Sequence, residues 1–216
     1  MPLRIFLLAL AVLCAAAVPA QSPPPDSPTP TANPAPVPWA FSLELNGTLV
    51  AHGPSYASST FTADHQHIHL EARYNYESQR TASLWLGYNF DAGKTIVFDA
   101  TPMIGGVFGD VDAIAPGIEF TLTYKKLQLY SANEYIFDTN SSSGNFFYTW
   151  TQLTYSPRPW IQAGYAIQHT RAYSTPLEVQ RGLLIGFTHK RVSFSSTFFN
   201  FGWTDPTVAL SLSYSF

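Results

Sequence analysis

From residue 39 to the end of the chain, apolar and polar residues alternate with a period of two, the pattern of a β-strand with two different faces. In the final segment the apolar positions are Val208, Leu210, Leu212, Tyr214 and Phe216. The same alternation occurs in the runs Phe41–Leu49, Ile68–Tyr76, Ala82–Phe90 and Ile118–Tyr124. We therefore predict an all-β protein whose strands have one apolar face and one face of charges and hydroxyls.

The first 38 residues lack this alternation. Residues 1–20 predict a secretory signal peptide, because Arg4 is followed by an apolar run too short to span a bilayer and by a small-residue cleavage site at Ala20. Residues 21–38 are rich in proline, serine and threonine and predict a disordered linker. The single cysteine, Cys14, lies in the signal peptide, so we expect a mature chain without a disulfide or a cysteine nucleophile.

Two architectures can use such strands: a soluble β-sandwich that buries its apolar faces, or a transmembrane β-barrel that turns them to lipid. Charged residues make up only 12% of the chain and aromatic residues 15%, which favours a surface that lies mostly in hydrocarbon. The terminal strand ends Leu212-Ser213-Tyr214-Ser215-Phe216, and an exported chain with a final strand ending in phenylalanine resembles bacterial outer-membrane β-barrel proteins. The resemblance covers residues 39–216 and implies an architecture rather than a specific functional family.

The resemblance implies a closed antiparallel transmembrane barrel in the bacterial outer membrane, with both termini and the short turns in the periplasm. The clear runs number eleven, and the weak run Ser55–Ala63 supplies a further strand, so we expect about twelve strands. A barrel of ten strands preceded by an extra segment is the alternative. All four lysines fall in the expected short turns. We expect the longer outer loops at Gly105–Gly117, Asp138–Asn145 and Arg171–Glu178.

The polar faces of the strands predict the contents of the lumen. The charged and imidazole side chains expected there are Glu44, His67, His69, Glu71, Arg73, Asp99, Glu119 and Glu134, and they are accompanied by Gln128, Gln152, Gln162 and Gln168. Because five carboxylates face one arginine, one hypothesis is a passive porin-like channel for small polar or cationic solutes. The alternative is a closed structural or binding barrel whose interior is a hydrogen-bonded polar filling around Arg73.

The expected partners follow from this architecture: outer-membrane lipid and, in a channel, small solutes. A sequence pI near 6.0 gives no electrostatic reason to expect a nucleic-acid partner. No cofactor is expected, and the sequence leaves the oligomeric state open.

His65, His67 and His69 alternate, so on one continuous strand their imidazoles would share a face and offer ligands for a transition metal. Residues two apart on a strand lie about 6.6 Å apart, too far for one ion to be held by all three. We therefore favour a polar role at the rim or in the lumen over a metal site.

A third functional hypothesis is a barrel lipid hydrolase. His169 lies on the lipid-facing side of its predicted strand, and Ser195 or Ser196 on a later strand is the candidate nucleophile. No recognisable motif flanks these residues, so we expect no catalytic site.

Overall fold

The computed structural model describes residues 37–172, 178–202 and 206–216. The predicted signal peptide, nearly all of the predicted linker and most of the predicted loop Arg171–Glu178 lie outside these residues. The described part is all-β apart from one turn of 3-10 helix at Ser142–Gly144. The strands are β1 Ala40–Val50, β2 Tyr56–His65, β3 Ile68–Tyr74, β4 Thr81–Tyr88, β5 Phe90–Ala92, β6 Val97–Gly109, β7 Ala113–Tyr124, β8 Leu127–Asp138, β9 Phe146–Arg158, β10 Ile161–Ala172, β11 Glu178–His189, β12 Val192–Phe199 and β13 Thr207–Ser215.

The strands form one closed antiparallel sheet. Each long strand pairs with its neighbours in sequence, and β1 also pairs with β13, so that the first and last strands close the ring. Closure satisfies the hydrogen-bonding groups of both edges, which a sheet in hydrocarbon requires. Among the described residues, no helix is long and apolar enough to cross a membrane.

The barrel has twelve spanning strands, because the short β5 is a continuation of β4. Gly87 of β4 is opposite Met103, and Phe90 of β5 is opposite Ala100, so both segments pair with β6 in one register. The strand count predicted from the sequence is confirmed, and the ten-strand alternative is wrong. The weak run that was needed to reach twelve is β2.

The connections differ at the two ends of the barrel. At the end that holds the first and last described residues, which we call the short-turn end, four connections have two residues and the fifth has four. The opposite, long-loop end has connections of three to seven residues. The long loop predicted at Gly105–Gly117 is wrong: β6 runs to Gly109, and only three residues separate it from β7.

The outward face of the barrel is apolar along most strands. Leu45, Leu84, Leu86, Ile104 and Leu183 are each about half or more exposed, as side chains that meet lipid must be. The inward face carries most of the buried polar side chains, which include Glu71, Arg73 and Glu134. The strands therefore have two different faces, as the alternation predicts, and the apolar face points outward. This orientation is that of the predicted barrel and not that of the β-sandwich.

Candidate functional site: the lumen of the barrel

One side of the lumen is filled by a charged cluster centred on Arg73 of β3. Its Nε donates to Glu71 Oε2 at 2.5 Å, and its Nη1 donates to Glu134 Oε2 on β8 at 2.9 Å. Glu77 and Glu119 approach the same guanidinium at 3.6 and 3.5 Å. We call these five residues the Arg73 cluster. One buried guanidinium therefore links four carboxylates that come from three strands and one connection.

Two aromatic rings complete the surroundings of this guanidinium. The Arg73 Cζ lies 4.5 Å from the centroid of the Tyr76 ring and 4.4 Å from that of Trp85. The Trp85 Nε1 donates to Glu77 Oε1 at 3.1 Å, so the indole also binds one of the clustered carboxylates. Arginine suits such a site because its planar cation stacks on rings and donates in several directions at once.

An apolar core fills the neighbouring part of the lumen. Its buried members are Trp85, Met103, Val107, Ala113, Ala115 and Ile136. The backbone at Gly105 makes room for the Trp85 ring, since a Cβ added at Gly105 would lie 2.4 Å from Trp85 Cδ2. This core and the Arg73 cluster together occupy the interior next to β3, β4 and β6–β8.

The other side of the lumen contains a cavity of about 610 Å³. Its lining runs from Gln128 and Ser213 near the short-turn end to Thr48 and Thr197 near the long-loop end. The lining is mostly amide, hydroxyl and aromatic, and the amides are those of Asn46, Gln128, Gln152, Gln162 and Gln168. Among the described lining residues, Glu44, Glu77 and Glu134 are acidic and none is basic.

The structure places the five predicted lumenal carboxylates in three settings. Glu71 and Glu119 contact Arg73, and Glu119 is not among the residues that line the cavity. Glu44 and Glu134 line the cavity, and Glu44 accepts from the Asn46 amide at 2.8 Å. Asp99 is exposed near the short-turn end, opposite Asp91.

Glu77 is a lumenal residue that the alternation did not identify. The prediction extended β3 to Tyr76 and turned that ring toward lipid, but β3 ends at Tyr74. Asn75 adopts a left-handed conformation with a φ of 59°, which interrupts the alternation. Tyr76 and Glu77 then both enter the lumen, so the predicted lipid-facing position of Tyr76 is wrong. The sequence feature that could have indicated this interruption is the asparagine at the strand end, before two bulky residues, because asparagine tolerates the left-handed conformation.

The three alternating histidines do not share a face, because a two-residue turn separates β2 from β3. The His65 ring stacks on Trp39 with centroids 4.9 Å apart. His67 lies in the turn, and its Nδ1 donates to Asn89 O at 3.0 Å. Its ring stacks on outward-facing Tyr88, so it lies at the rim rather than in the lumen. His69 is buried in the lumen. Its Nδ1 and Nε2 lie 2.7 and 2.9 Å from carboxylate oxygens of Asp64 and Glu71. Within the described ranges, no group of three potential ligands is placed to hold a metal ion.

The candidate catalytic residues of the lipid hydrolase hypothesis, His169 and either Ser195 or Ser196, do not lie close together. His169 is paired across from Val179 of β11, whereas Ser196 is paired across from Ile185 of the same strand. These two β11 positions are six residues apart, or about 20 Å along a strand. Ser195 has the opposite parity to Ser196 and lines the cavity.

Comparison with known proteins adds the fold relationship. The chain matches no protein-family model and no curated protein sequence. A KdgM porin superposes with a TM-score of 0.56 at 10% identity, over 81% of this chain and 99% of that chain. The KdgM porin in complex with disordered oligogalacturonate gives a TM-score of 0.57 at 9% identity, with the same coverage. A weaker similarity, with a TM-score of 0.44 at 10% identity, covers 83% of this chain and 99% of the Acinetobacter baumannii outer membrane protein Omp33. The chain is therefore a closed β-barrel similar in fold to bacterial outer-membrane porins.

Proposed function

We propose that this protein is a passive outer-membrane channel for small neutral or cationic polar solutes. The observation that carries the proposal is the cavity along one side of the bore, with its three carboxylates and no basic side chain among the described lining residues. Amides and hydroxyls replace part of the hydration shell of a polar solute, and fixed carboxylates favour cations over anions in a narrow passage.

The charge of the lining argues against acidic solutes. One of the similar porins is described in complex with oligogalacturonate, which is a polyanion. In the present chain the one lumenal arginine of the predicted set, Arg73, is held by carboxylates and rings, and it is not among the residues that line the main cavity. A polyanion in the cavity would therefore meet Glu44 and Glu134, and no described lining residue offers it a basic side chain.

We place the short-turn end, with both termini, in the periplasm and the long-loop end outside the cell, as is usual for barrels of this class. Protease added to intact cells tests this orientation. Cleavage is expected at a site inserted in the connection Thr139–Asn145, and none at a site inserted between Lys125 and Lys126. The reverse pattern would overturn the orientation.

Conductance in a planar lipid bilayer tests the channel. We expect ohmic steps and a reversal potential in a KCl gradient that shows cation preference. Glu44→Gln should reduce the cation-to-anion permeability ratio severalfold, since a unit charge about 4 Å from an ion contributes about 1 kcal/mol even in bulk water. Glu44→Asp keeps the charge and is the matched control. No steps from the wild-type protein would overturn the channel, and an unchanged ratio in Glu44→Gln would overturn the role of the acidic lining.

A closed structural or binding barrel is the second candidate, and one specific observation favours it. The Arg73 cluster and the apolar core fill the interior beside five of the twelve spanning strands, so much of the bore is blocked by side chains. The same bilayer experiment separates the two functions, because a closed barrel gives no conductance steps.

A further inference from the structure

Basic side chains are concentrated at the short-turn end of the barrel, along one part of the ring. The turn between β7 and β8 is Lys125-Lys126, β9 ends at Arg158, and the turn between β11 and β12 is Lys190-Arg191. All five of these residues are exposed. They are five of the eleven lysines and arginines of the whole chain. We call these five residues the basic rim.

The backbone joins the three turns into one continuous surface. Ser156 N donates to Lys126 O at 2.9 Å, and Thr188 N donates to Trp160 O at 3.0 Å. Neighbouring turns at this end are therefore about 10 Å apart, since two strand spacings separate each turn from the next. The Lys126 Nζ also donates to Pro157 O at 3.0 Å, so its ammonium lies against the second turn.

No acidic side chain lies in the parts of the strands that carry the basic rim. These parts are residues 120–133, 149–165 and 182–199, and none of them contains an aspartate or a glutamate. Asp64, Asp91 and Asp99 lie at the same end of the barrel but belong to β2, β5 and β6. The basic rim is therefore an uncompensated positive surface over β7–β12.

Exposed aromatic rings place the basic rim at the depth of lipid headgroups. Tyr124, Tyr155 and Trp160 are exposed at the same strand ends, and such rings mark the interface between membrane and water in barrels of this kind. The Lys125 Nζ lies 5.1 Å from the centroid of the Tyr124 ring. From this depth, the long side chains of lysine and arginine keep their charged ends among the headgroups.

The conformation of the turns does not account for the lysines. Lys125 and Lys190 each have a φ of 55°, in the left-handed region that favours glycine and asparagine. A lysine at such a position brings a charge to the turn and no advantage to its backbone.

We infer that the basic rim is a binding surface for the headgroups of anionic phospholipids. Ammonium and guanidinium groups donate charge-assisted hydrogen bonds to phosphate, and each one near an anionic membrane surface adds to the attraction. The occupant is lipid because the apolar outer wall and the aromatic rings set the basic rim against a bilayer. A zwitterionic headgroup carries its own cation, which competes with the rim for the phosphate. The inference does not depend on whether the bore conducts.

Quenching of tryptophan fluorescence in vesicles of the full chain tests this inference, because the exposed Trp160 ring lies two residues after Arg158. Lipids with brominated acyl chains quench the rings that they touch, so brominated phosphatidylglycerol is compared with brominated phosphatidylcholine. We expect the wild type to favour phosphatidylglycerol about fivefold, the ratio for one basic side chain at an anionic surface. Lys125→Gln combined with Arg158→Gln should lower this ratio to about two or less. Lys126 is kept because it binds Pro157 O.

The matched control is Lys94→Gln combined with Arg80→Gln, which removes the same number of positive charges from outside the basic rim. Arg80 pairs with Asp110, and Lys94 lies in the connection between Asp91 and Asp99. This variant should keep the wild-type ratio, and both double variants should keep the heat-modifiable gel migration of the wild type.

Three results would overturn the inference. The first is a wild-type ratio near one, which would include a rim that binds an acidic protein in place of lipid. The second is an unchanged ratio after Lys125→Gln with Arg158→Gln. The third is an equal loss in the control variant, which would assign the preference to net charge rather than to the basic rim.

Discussion

Removal of the guanidinium at Arg73 gives the sharpest test of how the lumen is held together. Methionine is the appropriate replacement, because it is unbranched, occupies much of the same space and carries no charge. Arg73→Met would leave four carboxylates, those of Glu71, Glu77, Glu119 and Glu134, without the cation that they share.

The magnitude follows from the burial of the cluster. The side chains of Arg73, Glu71, Glu77 and Glu134 are each at most 7% exposed, so water screens their charges poorly. Removal of one partner from a buried ion pair destabilises a protein by about 3–5 kcal/mol, because the remaining charge is buried without compensation. The lost contacts between the guanidinium and the rings of Tyr76 and Trp85 act in the same direction. We therefore expect a loss of at least about 3 kcal/mol in the free energy of unfolding.

Urea unfolding in lipid vesicles, followed by tryptophan fluorescence and gel migration, measures this loss. The matched rescue is Arg73→Met with Glu71→Gln and Glu134→Gln, which removes the two carboxylates closest to the cation and should restore most of the stability. Arg80→Met is the control for arginine removal. That guanidinium is 80% exposed and pairs with Asp110, so no measurable change is expected. A single variant as stable as the wild type, or a triple variant no more stable than the single one, would refute the reasoning.

Three further changes test other parts of the barrel by the same unfolding measurement. Leu86→Lys puts a charge on the lipid face and should cost about 2–4 kcal/mol near the bilayer centre, well beyond the effect of Leu86→Ala; equal effects would contradict a lipid-facing position. Gly105→Val places a side chain against the Trp85 ring and should cost about 1–3 kcal/mol, whereas Gly47→Val, where nothing lies within 4 Å, should be nearly neutral; the reverse order would contradict the packing described. Asn75→Ala removes the side chain that binds the backbone of the connection after β3 and should lower stability by about 1 kcal/mol, and an increase would show that this connection is not held by it.

The period-two alternation was sufficient to predict the architecture. In β3 the apolar members Ile68, Leu70 and Ala72 face outward and Glu71 and Arg73 face inward, as the pattern indicates. A one-residue shift would exchange the two faces, so the register of a strand with such unequal faces is strongly determined. The weak pattern of β2, which is mostly serine and threonine, required the additional argument that both ends of the chain lie on one side.

The pattern failed where the backbone departs from extended geometry. The left-handed residues Gln66 and Asn75 end the alternation on either side of β3. As a consequence, His67 lies at the rim and not in the lumen, where the alternation had placed it, and Glu77 lies in the lumen. The alternation also predicts whether a side chain points into the lumen or outward, but it does not predict which residue it contacts across the bore. Arg73 binds Glu134, 61 residues away in the chain, and that contact depends on which strands the closed barrel brings opposite each other.

The position of the cavity follows from side-chain size. A barrel of twelve strands encloses more space than the eight-strand case, in which side chains just fill the interior. The bulky inward residues, such as Trp85, Met103 and Ile136, belong to β4, β6 and β8. The inward positions of β12 and β13 are mostly small, with Ser193, Ser195, Thr197, Ala209, Ser211 and Ser213 all lining the cavity. Because β12 and β13 lie across the ring from β6 and β7, space remains on that side, and the amides of β8–β10 are left to face water. The cavity is therefore a consequence of sequence, and replacement of the small pair Ser195 and Ser211 by leucine should close it without a change of fold.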